Sequence, residues 1–452
     1  NLSVHGWSLA AFQARTRRGR AAYEKREVVL ERLLSYGRFT KLNYVWRSPV
    51  DDADLDGLLR WAAGHSKMTE TPGLGALTLS MLRGEEGRQR AEVARLVEWA
   101  RELPRPDVLL LSNVMLIGLA RELKAALGCP IVCTMQGEAP FLEALDDRHR
   151  ERCWSTLAER ARDVDGFLAV SQYTADLMSA RMDVDPAKVQ VVWNGGDLEG
   201  IAPDPARRDP ERPAVGYLAR MCRDKGIEAL VEGFLRLKER HPRARLVAAG
   251  VVLNEDRDLL GRLERRVAEA GWADDVEFLG PVTREQKIAL LQRVDVLSVP
   301  AVYGESFGLY LPEAWAAGLP VVQPRHGGFT ELVEHTGGGV LYEPGDPAAL
   351  ASALGALLDD PDRRSSLGEK GRAAAADEFT RARMAERVEV LLEEGEATGP
   401  GPSIGTFHST CARLLRIHGA EIGLNPRFVI YDDTDQRSVL KRVLKGLEIE
   451  TT

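Results

Sequence analysis

What this 452-residue chain lacks narrows its function before any motif is considered. No apolar run approaches the ~20 residues that a membrane-spanning helix requires. No G-x-x-x-x-G-K-S/T occurs, so no P-loop is available to cradle a nucleotide triphosphate. No G-x-G-x-x-G follows a strand-like run, which disfavours a dinucleotide-dependent oxidoreductase. Positive charge is not in excess: 60 Lys and Arg stand against 68 Asp and Glu, for a net charge of −8. A general attraction to nucleic acid or anionic lipid is therefore not expected. The five cysteines (Cys129, Cys133, Cys153, Cys222 and Cys411) form no C-x-x-C pair and are odd in number, as structural thiols in a reducing cytoplasm would be. The first residue is Asn, without an initiator Met or a signal-peptide pattern, so the chain reads as cut from something longer.

What is present is a repeated alternation of strand and helix patterns, in a chain too long for one core. Short apolar runs predict strands over 106–112, 130–135, 166–171 and 189–195, separated by helical patterns over 113–127, 148–164 and 172–182. A Pro- and Asp-rich stretch at 197–213 interrupts this pattern, which then resumes. Strands are expected over 214–219, 244–250, 276–280, 295–300 and 320–324, with helices over 227–241, 255–271 and 283–294. Continuous apolar strands between helices are the mark of parallel sheets covered on both faces, so the fold class is α/β with two Rossmann-like halves facing a cleft. The expected divisions are an unassigned helical segment to residue 55, a first half over 56–205, and a second half over 206–396. A Gly/Pro/Ser linker over 397–403 and a mainly helical appendage over 404–452 complete the chain.

One stretch carries two acids inside an otherwise core-like run: GESFGLYLPEAWAAG. It follows the strand pattern DVLSVP, which would deliver it to the carboxyl edge of a sheet, where open α/β folds bind ligands. Ser306 is expected to cap a helix starting near 307, since Pro312 is tolerated only near a helix start. The amides of Phe307, Gly308 and Leu309 would then face an anion, and Gly308 would permit close backbone approach. Glu305 would lie at the cleft edge and Glu313 about two turns into the helix, both suited to accept hydrogen bonds from hydroxyls. Arg220 and Lys225, in LARMCRDKG, are the cations expected to balance a diphosphate. As single residues they read equally well as solvated loop cations.

These blocks resemble those of glycosyltransferase family 4. GESFGLYLPEA matches its E-x7-E signature, and VVWNGGDLEG, VGYLARMCRDKG, VEFLG, DVLSVP and GLPVVQPRHGGFTELV occur in family order over about residues 56 to 396. The resemblance implies a GT-B fold and transfer of a sugar from a nucleotide donor to an unidentified acceptor, with retention and without a bound metal. It implies that Arg220 and Lys225 hold the diphosphate, Glu305 contacts the sugar, and Phe307, Gly308 and Leu309 offer backbone. It also places Glu313 on the ribose hydroxyls, with Gly327 and Gly328 forming a turn beside the pocket. A lipid-linked acceptor would bring peripheral membrane contact. The D-x-D patterns at Asp52–Asp54 and Asp163–Asp165 are not read as metal sites.

The pattern is incomplete at both ends. Nothing before residue 106 supplies the family's first strand and Gly-rich loop, and the acceptor-side position after PIVCTM reads Gln136-Gly137-Glu138. Gln136 and Glu138 are the cleft candidates there. Residues 404–445, with TFHS and FVIYDDTDQ, resemble a fragment of UvrD/Rep-type superfamily 1 DNA helicases. Without a P-loop the fragment is no motor, and the chain reads as a composite. Two further functions stay open: a nucleotide-sugar-binding protein that does not turn over, and a helicase-related nucleic-acid binder.

Overall fold

The computed structural model describes residues 74–101 and 105–394. The basic helix, the missing first strand, Asp52–Asp54, the linker and the helicase-like blocks all lie outside the described residues. The chain divides into two compact units, one ending at Met384 and one starting at Ala385. Both parallel sheets belong to the first unit.

The first sheet contains β1 (Leu109–Leu111), β2 (Ile131–Met135), β3 (Gly166–Ala169) and β4 (Val189–Val191), in the spatial order β1-β2-β3-β4 and all parallel. Ile131, Cys133, Met135, Phe167 and Ala169 are buried against the helices on its faces. That burial on both faces is why the strands read as unbroken apolar runs. The flanking helices are α1 (Leu74–Leu82), α2 (Arg90–Arg101), α3 (Ala120–Leu127), α4 (Ala139–Glu143), α5 (Asp147–Arg160) and α6 (Gln172–Met182). Ser171 caps α6: its Oγ accepts from the Thr174 amide at 3.1 Å. Asp163 pairs with Arg121, and Asp165 accepts from the Ile131 amide at 2.8 Å, so this D-x-D fastens helices to strands.

The second sheet contains β5 (Ala214–Leu218), β6 (Arg245–Ala249), β7 (Val276–Leu279), β8 (Val296–Leu297), β9 (Val321–Pro324) and β10 (Gly339–Tyr342). Their order is β10-β9-β8-β5-β6-β7, all parallel. Three strands lie on one side of β5 and two on the other, the doubly wound order. Its helices are α7 (Ile227–Lys238), α8 (Arg257–Glu269), α9 (Arg284–Arg293), α10 (Tyr310–Ala316), α11 (Gly328–Thr336), α12 (Pro347–Leu358) and α13 (Pro361–Glu378). Sequence supplies their starts: Thr283 and Gln286 form a capping box on α9, and Asp346 and Asp360 cap helices with Pro at the next position. Trp315 of α10 is fully buried and donates its indole N–H to the Gly338 carbonyl at 2.9 Å. The chain then continues into the helix Arg381–Glu394.

The two sheets are tied together within the first unit. Glu331 of α11 accepts from the Gln172 amide and from the Trp193 indole, each at 2.7 Å. The first of these amides opens α6, where a carboxylate also complements the positive helix end. Phe379 lies parallel to Trp193 at 5.3 Å between ring centres, and its carbonyl accepts from the Gly196 amide at 2.8 Å. The chain therefore returns from the second half to the first at Phe379–Thr380, a crossing not expected from the sequence.

Candidate active site

In a doubly wound sheet a crevice opens at the carboxyl edge between the two strands from which the connections depart in opposite directions. Here those strands are β5 and β8. The loop after β5 carries Arg220 and Lys225; the loop after β8 carries Tyr303 and Glu305. Gly226 lets the two loops touch: its φ is 74°, and a Cβ there would lie 1.7 Å from the Pro300 carbonyl oxygen. The Val302 amide adds a hydrogen bond to the Asp224 carbonyl at 3.0 Å.

The touching loops bring Lys225 and Glu305 into direct contact. The Lys225 ammonium donates to Glu305 Oε2 and, at 2.6 Å, to the Tyr303 hydroxyl. Glu305 Oε2 also accepts from the Tyr310 hydroxyl at 3.1 Å and from Tyr303 at 3.5 Å. The three bonds that reach Glu305 all end on the same oxygen, and Oε1 has no hydrogen-bond partner among the described residues. Burial disfavours the Lys225 charge, but Glu305 and Tyr303 outweigh it and its pKa lies above the ordinary value. Burial, then the charge of Glu305, pushes the Tyr310 hydroxyl well above the usual range, so it remains a donor.

Arg220 does not share this contact. Its Nε donates to the Cys222 thiol at 3.1 Å, and its guanidinium lies 3.7 Å from Asp224 and 4.0 Å from Glu255. Burial opposes its charge, but Cys222, Asp256 and Asp224 raise its pKa above the usual value. The expectation that the two cations simply converge on one anion is thus refined. Each already has protein partners, and Lys225 is shared with an acid.

The GESFGLYLPEA stretch departs from its expected geometry. The helix begins at Tyr310, not near 307, and Ser306 does not cap it. The cause is Gly308, whose φ of 81° cannot belong to a right-handed helix. Phe307, Gly308 and Leu309 therefore form a loop, and no hydrogen bond among the described residues uses their amides. The Phe307 side chain is core, 6.0 Å from the Phe379 ring, and Leu309 is exposed. Glu313 lies in the first helical turn rather than two turns in, and its Oε1 accepts from Lys287 of α9. Gly327 and Gly328 pack against this loop. A Cβ on Gly327 would fall 2.7 Å from the Glu305 backbone nitrogen, and the Gly328 amide donates to the Glu305 carbonyl at 2.7 Å.

On the first-half side, Glu138 is not an open cleft group. It is buried, and its carboxylate accepts from the amides of Val114, Gln136 and Gly137 at 3.2, 2.9 and 2.8 Å. Burial raises its pKa against the lowering effect of those amides. Gln136 is exposed and within 3.4 Å of Thr134 and Asn194. The donor loop reaches this side: Ser171 Oγ donates to the Ser306 carbonyl at 2.6 Å, and Tyr173 fills the space beside Gly304. Sequence reasoning passed over Tyr303, Tyr310 and Lys287. The two tyrosines stood in plain view beside Glu305, but nothing in their spacing says that their hydroxyls meet one carboxylate oxygen.

Comparison with known proteins agrees with this fold. Residues 202–374 match the family model described as Glycosyl transferases group 1, and residues 74–199 match Glycosyltransferase Family 4. Residues 374–452 match the UvrD/REP helicase N-terminal domain. That last match begins inside α13 and includes Ala375 and Phe379, which are fully buried in the core of the second sheet. A D-inositol 3-phosphate glycosyltransferase of Corynebacterium jeikeium is 33% identical over 224 residues, 47% of this chain and 53% of that protein. The chain thus spans about half the length of that relative. The Salinispora tropica protein of the same name is 30% identical over 384 residues, 80% of this chain and 78% of that protein. The structure of Anabaena Alr3699/HepE in complex with UDP superposes with a TM-score of 0.59 at 21% identity, covering 67% of this chain and 82% of that one. This likeness supports the GT-B fold. With a doubly wound second half, a crevice at its switch point and both halves matched in order, the chain belongs to the family 4, group 1 glycosyltransferases.

Proposed function

We propose that this protein transfers a sugar from a nucleotide-sugar donor to a hydroxyl-bearing acceptor, with retention and without a bound metal. The observation that carries the reading is the cluster at the β5/β8 switch point, where Lys225 and Glu305 meet beside unused loop amides. A departing nucleoside diphosphate develops negative charge. Fixed cations and amides stabilise that charge best where they are partly desolvated and already in place. Lys225 and Arg220 supply the cations, and the amides of Phe307, Gly308 and Leu309 supply donors. Glu305 Oε1 accepts from the transferred sugar. Glu313 accepts from the ribose hydroxyls, with Lys287 holding one of its oxygens. Gly327 and Gly328 keep the loop in place, while Gln136 and its amide neighbours face the acceptor.

The relatives' printed names support glycosyl transfer to an inositol-phosphate-type acceptor, and the Anabaena complexes with UDP and UDP-glucose support a uridine nucleotide sugar as donor. Among the described residues no helix is long and apolar enough to cross a membrane, so contact with a lipid-linked acceptor would be peripheral.

The test is hydrolysis or transfer from UDP-, GDP- and ADP-sugars, with Glu305→Ala and Lys225→Ala as variants. Each is expected to lose roughly 100-fold or more in kcat/KM, the scale of losing a charged transition-state contact. Full activity in both variants would refute the site. Binding without turnover in the wild type would identify a donor-binding protein instead.

A further inference from the structure

We propose that Tyr310 is a positioning residue for Glu305: its hydroxyl holds Oε2 once Lys225 turns to the donor diphosphate, leaving Oε1 to receive a sugar hydroxyl. This inference rests on the donor-site reading above and adds to it a residue that acts through another.

The argument begins with the double duty of Lys225. Its ammonium is bonded to Glu305 Oε2. A diphosphate at the β5/β8 crevice competes for the same ammonium and carries more charge than one carboxylate. As Lys225 reorients, Glu305 loses its strongest partner while only 9% exposed, and a buried carboxylate stripped of donors is costly. Two hydroxyls remain within reach. Tyr303 is the poorer replacement: its oxygen is 2.6 Å from Lys225 but 3.5 Å from Glu305, and its ring centre lies 5.1 Å from the ammonium. Tyr303 is Lys225's partner and is drawn along with it.

Tyr310 has no such second tie. Its hydroxyl makes one hydrogen bond, to Glu305 Oε2 at 3.1 Å. Its ring is fixed by the first turn of α10, by Phe329 at 6.3 Å, and by Gly308, where even a Cβ would lie 3.0 Å from the ring. A donor that cannot swing away fixes the rotation of the carboxylate about its Cγ–Cδ bond. The remaining oxygen then accepts in one direction only. An acceptor-only group reads a hydroxyl or N–H at that position of the sugar and rejects an acid substituent there.

The experiment uses the full chain and three measurements on Tyr310→Phe, which keeps the packed ring and removes only the hydroxyl. Steady-state turnover of the nucleotide sugar is expected to fall about ten-fold in kcat/KM, the effect of losing one hydrogen bond to a charged group. Calorimetric affinity for the nucleoside diphosphate alone is expected to fall by a smaller factor than turnover, because the departure of Lys225 leaves Glu305 short of a donor but no sugar hydroxyl is there to be received. On a Glu305→Gln background the same substitution is expected to add less than about two-fold, as it must if Tyr310 acts through the carboxylate. Unaltered turnover, equal losses for nucleotide sugar and diphosphate, or full additivity with Glu305→Gln would each overturn the assignment. Wild-type protein that binds no uridine, guanosine or adenosine diphosphate would sink the donor site itself, and this inference with it. Intact wild-type binding together with unaltered Tyr310→Phe kinetics would sink this inference alone.

Discussion

Lys225 and Glu305 show how the site holds its charges. Neither side chain is fully exposed, and each stabilises the other. Glu313 follows the same plan, with Lys287 on one oxygen and no hydrogen-bond partner among the described residues on the other. Replacing Lys287 by Met removes that hold and leaves an uncompensated carboxylate at the position proposed to take the ribose hydroxyls. Affinity for the nucleoside diphosphate is then expected to fall about five- to ten-fold in calorimetric titration, and Lys287→Arg to recover most of it. An unchanged affinity would show that Lys287 merely decorates the helix. E-x7-E is legible in the sequence as two acids at fixed spacing. Which oxygen of each is occupied is not, because the occupying groups come from other elements 80 and 26 residues away.

At the scale of elements, the connection from β9 to α11 combines His326, Gly327 and Gly328. The His326 Nε2 lies 3.0 Å from the Ala301 carbonyl, while Nδ1 is buried without a partner. Burial lowers the His326 pKa below 6.5, although the Ala301 carbonyl and the charge of Glu305 act to raise it. A histidine depressed in the folded state takes up its proton more readily when unfolded. Its contribution is therefore complete above 6.5 and is lost as pH falls toward the lowered folded value. Urea midpoints should decline through that window, and His326→Gln should flatten the decline; parallel curves for the two proteins would contradict this. Helix α10 offers a larger effect. Trp315 is fully buried and its indole is packed against Gly338 and Gly371. Trp315→Ala is expected to cost about 3–5 kcal/mol in equilibrium unfolding, through lost burial and an empty cavity.

Over the whole first unit, the sheets are held together by a few polar ties of specific geometry. Glu331 is the clearest, accepting from Gln172 and from Trp193 with its two oxygens. Glu331→Leu removes the acceptors of both the Gln172 amide and the Trp193 indole. We expect a larger radius of gyration in solution scattering and a raised donor KM, with the thermal midpoint of the second half little changed. An unaltered radius and KM would mean that the aromatic contacts around Phe379 suffice. Every residue assigned to the donor crevice precedes Met384, so ending the chain after Glu394 should leave nucleoside diphosphate affinity unchanged. A marked loss would assign the helicase-like segment a part in the site.

Much of this was written locally. The parallel strands announced themselves because burial on both faces demands unbroken apolar runs, as in Ala214–Leu218. Helix starts were legible wherever a side chain caps its own turn, as Ser171 and Thr283 do. Strand β10 was missed because its Gly-rich approach masks a short edge strand, paired among the described residues with β9 alone. The start of α10 was misplaced because Ser306 looks like a cap, while its backbone is committed to Ser171 in the other half. The composition and order of the motifs were enough to determine the family. Only the tertiary structure decided that Lys225 meets Glu305, that Glu138 is spent on three amides, and that Tyr310 faces one oxygen. The reason is that those contacts join separate loops, whose closeness is set by sheet order and by glycines such as Gly226, and neither is encoded at the residues themselves.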